Sequence, residues 1–126
     1  MIIVDTSIWI EFFRRREPWN SSLQRLLENR EVLAVECVFG ELLQGAKNER
    51  EKKVIREYWR HLPKIDETGL WLEAGAYAGT RGWQAKGVGL IDAFIVMSAF
   101  RTGSKIWTLD KKLESVLEPQ ECYHDA

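Results

Sequence analysis

Short apolar runs recur along this chain, and each passes into a stretch with helical period. Residues 1–4 are apolar throughout and end at Asp5-Thr6-Ser7, which predicts a buried strand entering a turn. Ile8-Trp9-Ile10 and Phe12-Phe13 then predict a short helix. The Asp-Thr-Ser triplet supplies residue types that cap helix N-termini, and Arg14-Arg15-Arg16 with Pro18 ends the helix. Leu23, Leu26 and Leu27 share one face of a second helix, capped by Ser21 or Ser22 and running to about Asn29. Residues 32–35 read as a second buried strand. Residues 36–44 continue as a helix with Val38, Leu42 and Ala46 on one face. Residues 48–60 form a strongly charged helix whose apolar stripe is Val54, Ile55, Tyr58, Trp59 and Leu62, stopped by Pro63.

The Ala- and Gly-rich residues 67–86 read as one further helix, and Gly87-Val88-Gly89 as a loop. Residues 92–101 are apolar on most sides, as expected of a helix central to the fold, and Gly103 closes it. Residues 105–109 predict a last strand ending at Asp110. Apolar strands alternating with helices point to a parallel sheet covered on both faces. The expected fold class is α/β: three α/β/α layers around a central parallel sheet, in a single domain over residues 1–126.

Composition changes this picture little. Hydrophobic residues make 45% of the chain and charged residues 29%, which excludes a disordered polyelectrolyte. The 18 basic and 19 acidic residues leave a formal net charge of −1, which argues against coating nucleic acid by bulk electrostatics. Cys37 and Cys122 lack the spacing of a zinc site or a disulfide framework. The apolar run 93–100 is far shorter than the ~20 residues a membrane span needs, and residues 1–4 are too short for a signal-peptide core. The expectation is a cytoplasmic protein with no membrane partner.

The acids carry the chemistry. Function in open α/β sheets collects at the carboxyl ends of strands. Asp5 ends the first strand and Asp110 the last. Asp92 begins the helix feeding that last strand, and Glu41 lies in the first turns after the second. Two carboxylates about 5 Å apart at an effective dielectric near 20 repel by roughly 3 kcal/mol, so such a cluster calls for raised pKa values or a cation. Oxygen ligands without His or Cys favour Mg²⁺, with Mn²⁺ as the variant, over zinc. Mg²⁺ held by carboxylates suits phosphoryl transfer. Each acid also has an ordinary structural reading: Asp5 as a helix cap, Glu41 as a solvated charge, Asp92 as a dipole partner at a helix N-terminus, and Asp110 as a turn residue.

At these residues the sequence resembles the PIN-domain ribonucleases, specifically the VapC-type toxins of toxin–antitoxin pairs. The resemblance lies in Ile3-Val4-Asp5-Thr6-Ser7-Ile8-Trp9-Ile10, in Gly40-Glu41-Leu42 through Gly45, in Gly89-Leu90-Ile91-Asp92-Ala93-Phe94-Ile95, and in Trp107-Thr108-Leu109-Asp110. It implies metal-dependent hydrolysis of RNA phosphodiesters, a homodimer, and inhibition by an antitoxin whose C-terminal segment wraps the toxin near its active site. It assigns metal binding to Asp5, Glu41 and Asp92, with Asp110 as fourth acid and with Thr6 and Thr108 as accompanying hydroxyls. One departure stands out: many relatives follow the fourth acid with a further Asp, where this chain has Lys112. That leaves one or two bound ions open.

Candidate RNA contacts are Arg14, Arg15 and Arg16 after the first helix, and Arg81 and Lys86 before the loop to Asp92, where cations would position a backbone without reading its sequence. Trp9, Trp59, Trp71 and Trp107 read as core or dimer-interface residues. A receiver-like phosphoryl-aspartate domain is a rival of similar length. It needs an Asp ending a middle strand, and Asp66 follows no apolar run. A second rival is a catalytically silent PIN-like module that binds protein or RNA; the presence of all four acids argues against it.

Overall fold

A computed structural model describes residues 1–125. Three short parallel strands form its sheet: β1 (Ile2–Val4), β2 (Val32–Leu33) and β3 (Lys105–Trp107), in the order β2-β1-β3. Ile2 and Ile3 pair with Val32 and Leu33 on one side and with Lys105 and Ile106 on the other. The first strand of the chain is thus the central one, and its end lies between the ends of the other two. Beyond β3, Ile106 bridges to Cys122 and accepts a hydrogen bond from Tyr123 N–H at 2.8 Å, which covers the outer edge.

Around the sheet lie α1 (Thr6–Phe13), α2 (Trp19–Glu28), α3 (Glu36–Gly45), α4 (Glu49–His61), α5 (Leu70–Arg81), α6 (Leu90–Thr102) and α7 (Lys111–Ser115). This is the three-layer α/β arrangement expected from the alternating runs. Ile3, Ile8, Leu23, Val32, Val38, Leu70, Phe94, Ile95 and Ile106 meet in one connected core. Every residue of α6 from Ala93 to Ala99 is buried, so α6 is the central helix. Trp9 is 1% exposed and packs its ring against Phe12, Phe13, Phe39 and Tyr58, an aromatic joint between α1, α3 and α4.

The boundaries differ from the expected ones in four places. α2 begins at Trp19, ahead of Ser21 and Ser22, because the Glu17 carboxylate already accepts from Ser21 N–H at 3.0 Å. Ser22 instead turns inward and bonds Asp125. The stretch 67–86 is not one helix: Gly82 at φ 64° ends α5, and a 3-10 turn, Trp83–Lys86, follows. α6 starts at Leu90 rather than at Asp92, which places Asp92 inside its first turn. The strands are shorter than the apolar runs; β3 stops at Trp107, leaving Thr108 and Leu109 in the turn before Asp110.

Candidate active site

Asp5 is the first residue past β1. Its N–H still donates to Trp107 C=O at 2.9 Å, and its own C=O accepts from Ile8 and Trp9 N–H to start α1. The main chain therefore opens the helix while the carboxylate makes no capping bond. That side chain, 7% exposed, accepts at Oδ2 from Ser7 Oγ at 3.0 Å and from Thr108 Oγ1 at 2.7 Å. Both hydroxyls also accept, Ser7 from Leu109 N–H at 3.0 Å and Thr108 from Asp110 N–H at 2.9 Å. Two hydroxyls thus lace the turn after β1 to the turn after β3.

Glu41 projects from α3, and its Oε1 accepts from Thr6 Oγ1 at 2.7 Å. Thr6 therefore links the second acid to the segment carrying the first. Asp110 caps α7: its Oδ1 accepts from Lys112 N–H at 2.9 Å and Leu113 N–H at 3.3 Å. The ordinary reading of Asp110 as a cap holds for that oxygen. Among the described residues Asp5 Oδ1, Glu41 Oε2 and Asp110 Oδ2 take no protein hydrogen bond, and no buried side-chain polar atom lacks a partner. Each of these three acids is held by one oxygen, with the other left to solvent.

Asp92, in the first turn of α6, reports the cluster electrostatically. Burial first, then the charges of Asp110 and Asp5, push its carboxyl up to about 6; Glu41 adds to the rise and the Gly89 backbone opposes it. The other three acids all act on this one half-buried carboxyl.

The donor set fits a hard divalent ion: four carboxylates and no imidazole. Cys37, one turn before Glu41, is a neutral thiol, which burial and then the charges of Glu41 and Glu67 push up to about 12. Among the described residues no group of three or more His, Cys, Asp or Glu side chains is disposed to enclose a metal ion. The charges of Asp5, Glu41 and Asp110 reach Asp92 without the four acids closing into a cage.

Beside Glu41 opens a groove of about 610 Å³ between α1, α3 and α4. Its floor is apolar, from Ile10, Phe13, Leu42, Val54 and Tyr58, and Arg14, Arg15, Lys47 and Arg50 stand along it. Arg14 and Arg15 thus share a groove with Glu41, although Arg14 and Arg16 also reach Glu11 at 3.9 and 3.2 Å. Arg81 and Lys86 do not line the groove; the Arg81 guanidinium lies 3.5 Å over the Tyr77 ring on its own helix. Ser7 was not among the expected site residues. Its signal was the Asp-Thr-Ser triplet, read as helix capping, although a hydroxyl two residues past a strand-end acid can also turn back to that acid.

The chain matches the PIN domain family over residues 2–118. It is 31% identical over 119 residues to Ribonuclease VapC32 of Mycobacterium tuberculosis, in both strains CDC 1551 and H37Rv, covering 91% of this chain and 89% of the relative. In solved structures its fold matches VapBC2 from Rickettsia felis, determined bound to a DNA fragment from their promoter, with a TM-score of 0.71 at 19% identity over 97% of this chain and 96% of that one. FitAcB from Neisseria gonorrhoeae aligns with a TM-score of 0.58 at 22% identity over 90% of each chain. The chain belongs to the PIN-domain family, among its VapC-type members.

Proposed function

We propose that this chain is a metal-dependent endoribonuclease and the toxin of a type II toxin–antitoxin pair. The observation that carries the reading is the Asp92 carboxyl, raised by three acids that arrive from separate elements. A purely structural role for Asp5, Glu41 and Asp110 gives no reason to gather their charges around a fourth. Membership in the PIN family and likeness to Ribonuclease VapC32 support RNA as the substrate.

Asp5, Glu41, Asp92 and Asp110 would hold Mg²⁺ or Mn²⁺. A bound divalent ion supplies positive charge against the phosphate oxygens and acidifies a water. Thr6 fixes the Glu41 carboxylate, Ser7 and Thr108 that of Asp5, and the Lys112 and Leu113 N–H groups that of Asp110, each by one oxygen, so these acids need little reordering. Arg14 and Arg15 would steady the RNA backbone. The groove beside Glu41 suits an antitoxin segment, apolar against its floor. A homodimer and a cytoplasmic location belong to the same reading. No described helix is long and apolar enough to cross a membrane.

The test is cleavage of a total RNA pool by the purified, partner-free chain, with Mg²⁺, with Mn²⁺ and with chelator, beside Asp92→Asn. Discrete new 5′ ends that need the metal and vanish in the variant are expected. A folded wild-type chain that cuts nothing with either metal would overturn the nuclease and leave a PIN-fold binding module.

A further inference from the structure

Lys112 stands where the turn after β3 meets the loop before α6. Its backbone N–H is one of the two donors to the Asp110 carboxylate, so it lies in the same helical turn as that acid. Its side chain crosses to the loop before α6. A Cβ built on Gly87 would lie 3.2 Å from Lys112 Cδ, 3.4 Å from Cε and 3.3 Å from Nζ. Gly87 sits at φ 78°, in the left-handed region, and Gly89, two residues on, is the N-cap of the helix carrying Asp92. The bare Gly87 backbone is therefore a seat for the lysine stem, and Lys112 spans from the Asp110 turn to the approach to Asp92.

The ammonium is unspent. Lys111 beside it reaches Glu114 at 4.0 Å, whereas Lys112 Nζ makes no ion pair or hydrogen bond among the described residues. Asp110 lies two residues away, yet the side chain, ammonium included, rests on Gly87, and Lys112 remains exposed. An exposed, anchored cation between the Asp110 turn and the loop leading to Asp92 is placed for an anion that arrives from outside. A lysine meets a phosphate as a compact point charge.

We propose that Lys112 is a substrate-positioning residue that holds a phosphate of the RNA backbone next to the acids, supplying a fixed positive charge where a second acidic ligand would instead recruit a cation. This rests on the nuclease reading. Lys112→Met keeps the stem on Gly87 and removes the charge; Lys112→Arg keeps a charge.

The experiment measures kcat and KM with Mg²⁺ for the wild type and both variants, on an RNA oligonucleotide spanning a cleavage site mapped with the wild type. It also follows KM against salt and the melting temperature. Lys112→Met is expected to raise KM about tenfold with kcat and melting temperature kept, and Lys112→Arg to recover most of the loss. The log–log salt dependence of KM should flatten in Lys112→Met by about 0.7, the value for one fewer phosphate contact on a single strand. Unchanged KM in Lys112→Met, or equal impairment of both variants with a lowered melting temperature, would overturn the inference and leave the nuclease standing. A folded wild type that yields no cleavage site would overturn both.

Discussion

Asp5 occupies the position from which an acid ordinarily caps the next helix, and its main chain does open α1. Its carboxylate is instead drawn off by Ser7 and Thr108, hydroxyls that also hold the turn after β3. Thr108→Val keeps the shape but removes the donor to Asp5 and the acceptor for Asp110 N–H. Denaturant unfolding is expected to show a loss of about 1–2 kcal/mol, and cleavage should fall because Asp5 loses one of its two donors and the Asp110 turn loses its anchor. Full activity in a folded Thr108→Val chain would show that the tether has no part in the site. Asp92 gives the pH dependence. Its carboxyl is raised from 3.8 to about 6, so the folded chain keeps a proton that the unfolded chain has released. The stabilisation is full below about pH 4 and is lost as pH rises through about 6. In chelator, Asp92→Asn should therefore melt higher than wild type at pH 7, by a difference on the order of 1–3 kcal/mol that closes on acidification to pH 4. Adding Mg²⁺ should stabilise wild type and not the variant, since only a chain that binds the ion gains from it. Parallel melting curves across that pH range would refute the account.

At the scale of elements, α6 shows how the fold delivers a residue to the cleft. Buried from Ala93 to Ala99, it is locked by the core, with Asp92 at one end and Gly103 at φ 64° at the other. A Cβ at Gly103 would meet nothing within 4 Å, so Gly103→Ala tests backbone conformation alone. It should cost about 1 kcal/mol in unfolding and leave cleavage unchanged, because the strain lies at the end remote from Asp92. A fall in kcat without loss of stability would mean that the far end of α6 steers the acid. The same element shows what was readable in the chain. Its apolar wrap and closing glycine announced a central helix, but its start was misplaced because a carboxylate at 92 resembles a cap, whereas the Gly89 backbone makes the turn. Gly82 was read as one more small residue of a helix from 67 to 86; only its left-handed φ separates a helix interior from a helix end, and composition does not report φ. Ser22 was hidden for another reason: its partner, Asp125, lies 103 residues away.

At the scale of the molecule, the approach of the turns that carry Asp5 and Asp110 was legible because parallel strand ends share one side of a sheet, and residues 2–4 pair with 105–107. The groove was not. Ile10 and Val54 belong to apolar stripes that periodicity assigns to the core, and helix packing alone leaves them 37% and 41% exposed. An apolar floor of that kind, bordered by Glu41 and by the cations Arg14, Arg15, Lys47 and Arg50, is where the proposed antitoxin segment would lie. Val54 touches the groove and none of the acids' hydrogen bonds, so Val54→Glu should spare cleavage while placing an unpaired carboxylate against an apolar partner. In cells carrying the cognate antitoxin, Val54→Glu should restore growth arrest that the antitoxin suppresses in wild type. In binding measurements it should weaken the pair by tenfold or more, the effect of roughly 1.4 kcal/mol or greater from burying a charge. Unchanged neutralisation would place the antitoxin elsewhere and leave the groove to RNA. Loss of cleavage in the folded variant would instead make α4 part of the substrate path, and the two surfaces would then be one.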